Sequence, residues 1–233
     1  MKMSRRLEDL VEIANPQQPH CPVVLLLDIS GSMQGENINA LNEGVKAFKE
    51  EVEKDDLASK RVDLAIITFG QTSQLVQDFN SIEEFEPPTF TADGLTPMGE
   101  AILKGIEIVE QRKKEYKQNG IDYFRPWIFM ITDGEPTDMQ PGDRRWNEVV
   151  NMVQDGESNK KFMFFAVAVD PANVEILAEI APPNRKPVRL KGLAFPELFS
   201  WLSKSMSAVS ASIPGEQVTL ESPVTAGWGE ISI

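Results

Sequence analysis

Five consecutive apolar residues, Val23-Val24-Leu25-Leu26-Leu27, end at Asp28-Ile29-Ser30-Gly31-Ser32. A buried strand that stops at one carboxylate and two hydroxyls, with a glycine that lets the backbone turn tightly, presents hard oxygen donors at a rigid edge. Donors of that kind suit Mg²⁺ or Mn²⁺. One short loop cannot wrap a six-coordinate ion, so the remaining ligands are expected far away in sequence.

Two places meet that expectation. Thr96 lies in Gly94-Leu95-Thr96-Pro97-Met98-Gly99, where Pro97 suits the first helical position and the Thr96 hydroxyl is either an N-cap or a ligand. Asp133 ends a second apolar run, Trp127-Ile128-Phe129-Met130-Ile131-Thr132, and the following Gly134-Glu135-Pro136-Thr137-Asp138 reads as a turn. Both segments would deliver oxygens at the carboxyl ends of strands, where open α/β sheets place ligands. Taken alone, Asp-x-Ser-x-Ser also fits an N-cap cluster with no metal.

Periodicity supplies the frame. Strands are expected over residues 23–29, 62–69, 74–79, 127–132, 162–169 and 188–190. Helices are expected over 36–54 (Ile38, Leu41, Val45, Phe48, Val52), 97–116 (Ile102, Ile106, Val109), around Trp146 to Val153, around Val174 to Ile180, and from Phe195 to Ile213. The short link into residues 74–79 implies an antiparallel edge strand, because a parallel crossover needs a dozen or more residues. The result is a doubly wound, Rossmann-like α/β fold: a mostly parallel six-stranded sheet, one antiparallel edge strand, helices on both faces.

Asp28, Ser30, Ser32, Thr96 and Asp133 together resemble the metal-ion-dependent adhesion site of von Willebrand factor A domains, and the resemblance extends over residues 20–212. It implies a metal at those five positions, Mg²⁺ with Mn²⁺ or Ca²⁺ as alternatives, and a protein partner that supplies an Asp or Glu to it. It also implies a protein that is not, as a rule, catalytic. Residues 95–99, residues 132–138 and the ending Phe199-Ser200-Trp201-Leu202-Ser203 are similar to the bacterial TerY-like branch. That branch implies a cytosolic adaptor in tellurium-resistance or stress systems, with a kinase or phosphatase as partner. The zinc ribbon of some relatives cannot be built with one cysteine.

The competing class is a metal-dependent phosphohydrolase with Asp28 as nucleophile. Such enzymes need a general acid two residues later, and this chain has Ser30 there. His20 is the single histidine, which leaves no Ser-His-Asp set.

Charge and cysteine usage narrow the partners. With 36 acidic against 23 basic residues, the net charge of −13 argues against nucleic acid or anionic lipid. Cys21 alone builds no disulfide framework, which suits a reducing cytoplasm. Lys2, Arg5 and Arg6 begin like a signal peptide, but Glu8, Asp9 and Glu12 interrupt its apolar core, and no stretch reaches membrane-spanning length.

Several residues carry plainer readings. His20 beside Cys21 is a strand-leading loop rather than a metal pair, and Arg112-Lys113-Lys114 is a charged C-terminal helical turn. Glu135 and Asp138 are turn residues or an acidic fringe to the metal, and Asp170 before Pro171 starts a turn. Residues 1–19 form a lead segment and residues 213–233 a tail. The tail lacks helical periodicity, so its removal is expected to leave the fold intact. Trp228 within it is either a docking anchor for a partner or packed on its own domain.

Overall fold

The computed structural model describes residues 13–230. Lys2, Arg5, Arg6, Glu8, Asp9 and Glu12, and with them the signal-peptide question, lie outside the described residues. Among the described residues seven strands form one sheet in the order β3-β2-β1-β4-β5-β6-β7. They are β1 (Cys21–Asp28), β2 (Val62–Phe69), β3 (Ser73–Ser81), β4 (Trp127–Thr132), β5 (Met163–Ala168), β6 (Val188–Leu190) and β7 (Gly229–Glu230). β1 pairs in parallel with β2 on one side and β4 on the other, with Leu25 opposite both Ile66 and Phe129. β3 is the expected antiparallel edge.

Among the described residues six α-helices cover the two faces: α1 (Glu36–Glu53), a short α2 (Ala58–Arg61), α3 (Met98–Asn119), α4 (Arg144–Ser158), α5 (Val174–Ile180) and α6 (Phe195–Ser210). Alternation along β1 divides the core. Val23, Leu25 and Leu27 pack toward α1 and α6, whereas Val24 and Leu26 pack toward α3 and α4. β1 is buried along its whole length, which is why it reads as an unbroken apolar run.

Three features differ from the sequence expectation, and the packing of Trp228 decides between two readings the sequence left open. The sheet has a seventh strand: β7 adds antiparallel to β6 through Arg189–Glu230 and Leu190–Gly229. The segment before it is packed on the domain. Trp228 is buried with its ring 5.3 Å from that of Trp201, and Trp201 Nε1 donates to Glu221 O at 2.7 Å. Trp228 is thus not free to anchor a partner.

The Arg112-Lys113-Lys114 run does not end its helix, which continues to Asn119. Arg112 and Lys113 are buried. Arg112 Nη2 lies 2.8 Å from Asp63 Oδ2, an oxygen that also accepts the Tyr116 hydroxyl and sits 3.1 Å from His20 Nδ1. Asp63 is held below the usual carboxylate range: burial works against this, and His20, Arg112 and Tyr116 outweigh it. His20 is therefore part of a buried polar cluster at the amino end of the sheet. Finally, α6 ends at Ser210, leaving Ile213 exposed.

Candidate metal centre

Strand order reverses around β1 and β4, and the crevice outside their carboxyl ends is where a doubly wound sheet holds ligands. Asp28 is the last residue of β1, and Asp133 follows the last residue of β4. After Asp28 the chain turns through a single 3-10 turn, Gly31–Met33, and enters α1. Ser30 is the N-cap of that turn and Ser32 lies on it.

Two hydrogen-bonded links join the strand ends. The Thr132 hydroxyl donates to Asp28 Oδ2 at 2.5 Å, and the Ser32 hydroxyl donates to Asp133 Oδ1 at 2.6 Å. Ser30 Oγ is 2.9 Å from Ser32 Oγ, and the Ser30 N–H donates to Asp28 Oδ1 at 2.8 Å. Thr96 arrives from the loop that leads into α3. That loop is tied to the Ser30 turn by Gly31 N–H to Gly94 O at 3.1 Å and Asp93 N–H to Ile29 O at 2.8 Å. Gly94 adopts φ +88°, and a Cβ there would lie 2.4 Å from Gln71 N, so both conformation and space require glycine.

Gly134 shows how the last hydroxyl meets the carboxylates. A Cβ at this position would sit 3.1 Å from Thr96 Oγ1 and 3.7 Å from Asp28 Oδ2. The structure therefore places Asp28, Ser30, Ser32, Thr96 and Asp133 around one point at the carboxyl edge. All but Ser32 are buried.

Electrostatically the cluster is unbalanced. Burial pushes Asp28 up to about 6, countered in part by hydrogen bonds from Ser30 and Thr132 and reinforced by the charge of Asp133. Burial also raises Asp133, against hydrogen bonds from Ser32 and Asn37. Among the described residues neither carboxylate is ion-paired with Lys, Arg or His, and Asp133 Oδ2 is buried with no hydrogen-bond partner. Two crowded carboxylates, an orphan oxygen and three hydroxyls form an oxygen-only donor set, which fits a hard cation such as Mg²⁺ or Mn²⁺. No group of three or more His, Cys, Asp or Glu side chains converges among the described residues, so hydroxyls would have to complete any coordination.

The other acidic residues have separate tasks. Glu135 Oε1 accepts from Asn173 Nδ2 at 3.0 Å, and Asp170 pairs with Arg189 at 3.0 Å. Asp138 accepts from the backbone N–H groups of Gly99 and Glu100 at the start of α3. Sequence reasoning missed Thr132, the hydroxyl that fixes Asp28. Its signal is a polar residue closing an otherwise apolar strand.

The family model of the von Willebrand factor type A domain matches residues 23–192. Solved structures share the fold. A von Willebrand factor type A protein from Catenulispora acidiphila superposes with TM-score 0.60 at 14% identity, covering 82% of this chain and 43% of that one. The pilus adhesin SpaC from Lactobacillus rhamnosus GG gives 0.63 at 13%, over 84% and 31%. The ArnB paralog VWA2 from Sulfolobus acidocaldarius gives 0.53 at 18%, over 80% and 45%. The chain thus spans less than half the length of each. No curated protein matches it by sequence. With the family model spanning most of the sequence, from β1 to just past β6, the chain belongs to the von Willebrand factor type A domain family.

Proposed function

We propose that this domain is a metal-dependent protein-interaction module in which Ser30, Ser32 and Thr96 hold a divalent cation directly and Asp28 and Asp133 hold it partly through water. Domains of this family are generally protein-interaction modules. The observation that carries the reading is the pair of buried carboxylates with no basic side-chain partner among the described residues, together with the unpartnered Asp133 Oδ2. Bound Mg²⁺ or Mn²⁺ would supply Lewis acidity toward an Asp or Glu carboxylate of the partner. The chain's own residues do the rest: the Thr132 hydroxyl and Ser30 N–H orient Asp28, and Leu95, 65% exposed beside Thr96, offers an apolar contact at the rim.

Within this proposal the protein is a TerY-like adaptor of the cytoplasm, serving a tellurium-resistance or stress system with a kinase or phosphatase as partner. Support comes from the loop sequences at residues 95–99 and 132–138 and the lone, buried Cys21. Among the described residues no helix is long and apolar enough to cross a membrane. A non-catalytic role is supported at Asp28 itself. Its side chain is buried and both oxygens accept hydrogen bonds, a poor state for a phosphohydrolase nucleophile, and Ser30 stands where that chemistry needs an acid.

Calorimetric titration with Mn²⁺ is expected to show one site, absent in Asp28→Ala. Proteins captured from a lysate in Mg²⁺ are expected to elute with chelator and to be lost from Thr96→Ala. Unchanged Mn²⁺ binding in Asp28→Ala would overturn the metal assignment, and retention of partners in chelator would overturn the metal-dependent mode of binding.

A further inference from the structure

The start of α3, which carries Thr96 into the site, is bound to the β4–α4 loop by four hydrogen bonds. Thr96 N–H donates to Thr137 Oγ1 at 3.0 Å, and Thr137 N–H returns a bond to Thr96 O at 2.9 Å. The Asp138 carboxylate takes Gly99 N–H on Oδ1 at 3.0 Å and Glu100 N–H on Oδ2 at 2.8 Å. Pro97 at the N-cap position has no capping side-chain bond, so Asp138 satisfies these first-turn donors from another segment. Gly99 makes room for it: a Cβ there would lie 3.1 Å from Asp138 Oδ2 and 2.8 Å from Met139 Sδ. Arg145 Nη1 approaches Asp138 Oδ2 at 3.3 Å from the opposite side.

The same loop carries Asp133. Thr96, in contrast, ends a long connection, residues 82–95, with no regular strand or helix of its own. A donor set spread over separate segments binds a small cation well only if those segments keep register to fractions of an ångström. We propose that Thr137 and Asp138 are positioning residues of the metal centre: by clamping the start of α3 to the loop that bears Asp133, they set the Thr96 hydroxyl beside Gly134, which Asp28 Oδ2 also approaches. The inference rests on the metal reading above and extends it to two residues that touch no metal.

A helix cap with no further role would lower stability and leave the cation affinity of the folded protein alone. The test is therefore a set of calorimetric Mn²⁺ titrations of the full chain, each variant held well below its own melting temperature. Asp138→Ala and Thr137→Val are each expected to weaken Mn²⁺ binding by about 10- to 100-fold. Thr137→Ser, which keeps the hydroxyl, is expected to retain most of the affinity, whereas Asp138→Asn, whose Nδ2 must face one of the two N–H donors, is expected to fall between wild type and Asp138→Ala. In a Thr96→Ala background, Asp138→Ala is expected to cost nothing further, because the residue it positions is gone.

Wild-type affinity in Asp138→Ala and Thr137→Val, or additive losses in the Thr96→Ala background, would overturn the inference. Should wild type bind Mn²⁺ and Asp28→Ala fail to, these outcomes sink the clamp and leave the metal centre standing. A wild-type chain that binds no Mn²⁺ overturns both.

Discussion

Trp228→Ala is expected to cost about 3–5 kcal/mol of stability, the range for truncating a large buried aromatic. Trp228 is 1% exposed and its ring meets that of Trp201 on α6, which in turn lies near Trp127, Phe129 and Phe165. Its backbone is fixed too, since Lys191 N–H donates to Trp228 O at 2.9 Å and Gly229 N–H donates to Pro223 O at 3.1 Å. Trp228 Nε1 is buried without a partner, so Trp228→Phe removes an unsatisfied donor and is expected to cost less than Trp228→Ala. Urea unfolding reads both variants. A midpoint for Trp228→Ala equal to wild type would show that the segment before β7 is dispensable to the core, as the sequence alone suggests.

That disagreement has a physical origin. β7 is a two-residue strand, and nothing in Gly227-Trp228-Gly229-Glu230 alternates or branches at Cβ. It pairs with the free edge of the three-residue β6 at Arg189 and Leu190, and the adjoining Trp228 ring packs against Trp201 of α6. Strands buried on both faces announce themselves locally; β1 and β4 are built on apolar runs, β1 ending at Asp28 and β4 at Thr132, one residue before Asp133. Arg112 fails the local reading for the opposite reason. A charge run on a helix reads as solvated until its counter-ion is known, and Asp63 lies 49 residues away at the start of β2.

The candidate site divides along the same line. Asp28, Ser30, Ser32, Thr96 and Asp133 are legible because each stands at the carboxyl end of a strand or beside a helix start, positions that sequence pattern fixes. Thr132, Thr137 and Asp138 are not. Their partners are backbone or carboxylate groups on other elements, with separations of 104, 41 and 39 residues for Thr132–Asp28, Thr137–Thr96 and Asp138–Gly99. Residues that bear the donors can be read from a motif; residues that aim them require the fold.

Asp28→Asn is expected to stabilise the cation-free domain and to abolish its response to metal. Burial raises Asp28 to about 6 in the folded chain, against the ordinary value of 3.8. The folded state therefore holds a proton there more tightly than the unfolded state. The stability this contributes is full below about pH 4 and is lost as pH rises through about 6. At neutral pH the cation-free protein carries a buried, ionised Asp28 next to Asp133, at a cost on the order of 2–3 kcal/mol. Asparagine keeps an acceptor for Ser30 N–H and carries no charge at any pH. In chelator the variant is therefore expected to match wild type near pH 4 and to exceed it increasingly up to pH 7.

Saturating Mn²⁺ is expected to reverse that order. A cation that binds only the folded wild type adds about 2.7 kcal/mol at a concentration one hundred times its Kd, and the neutral side chain forgoes it. Melting curves of both proteins across pH 4 to 7.5, in chelator and in Mn²⁺, check each limb. Parallel curves in chelator would show that ionised Asp28 is already compensated in the folded chain, and the carboxylate pair would then lose its reason to recruit a cation.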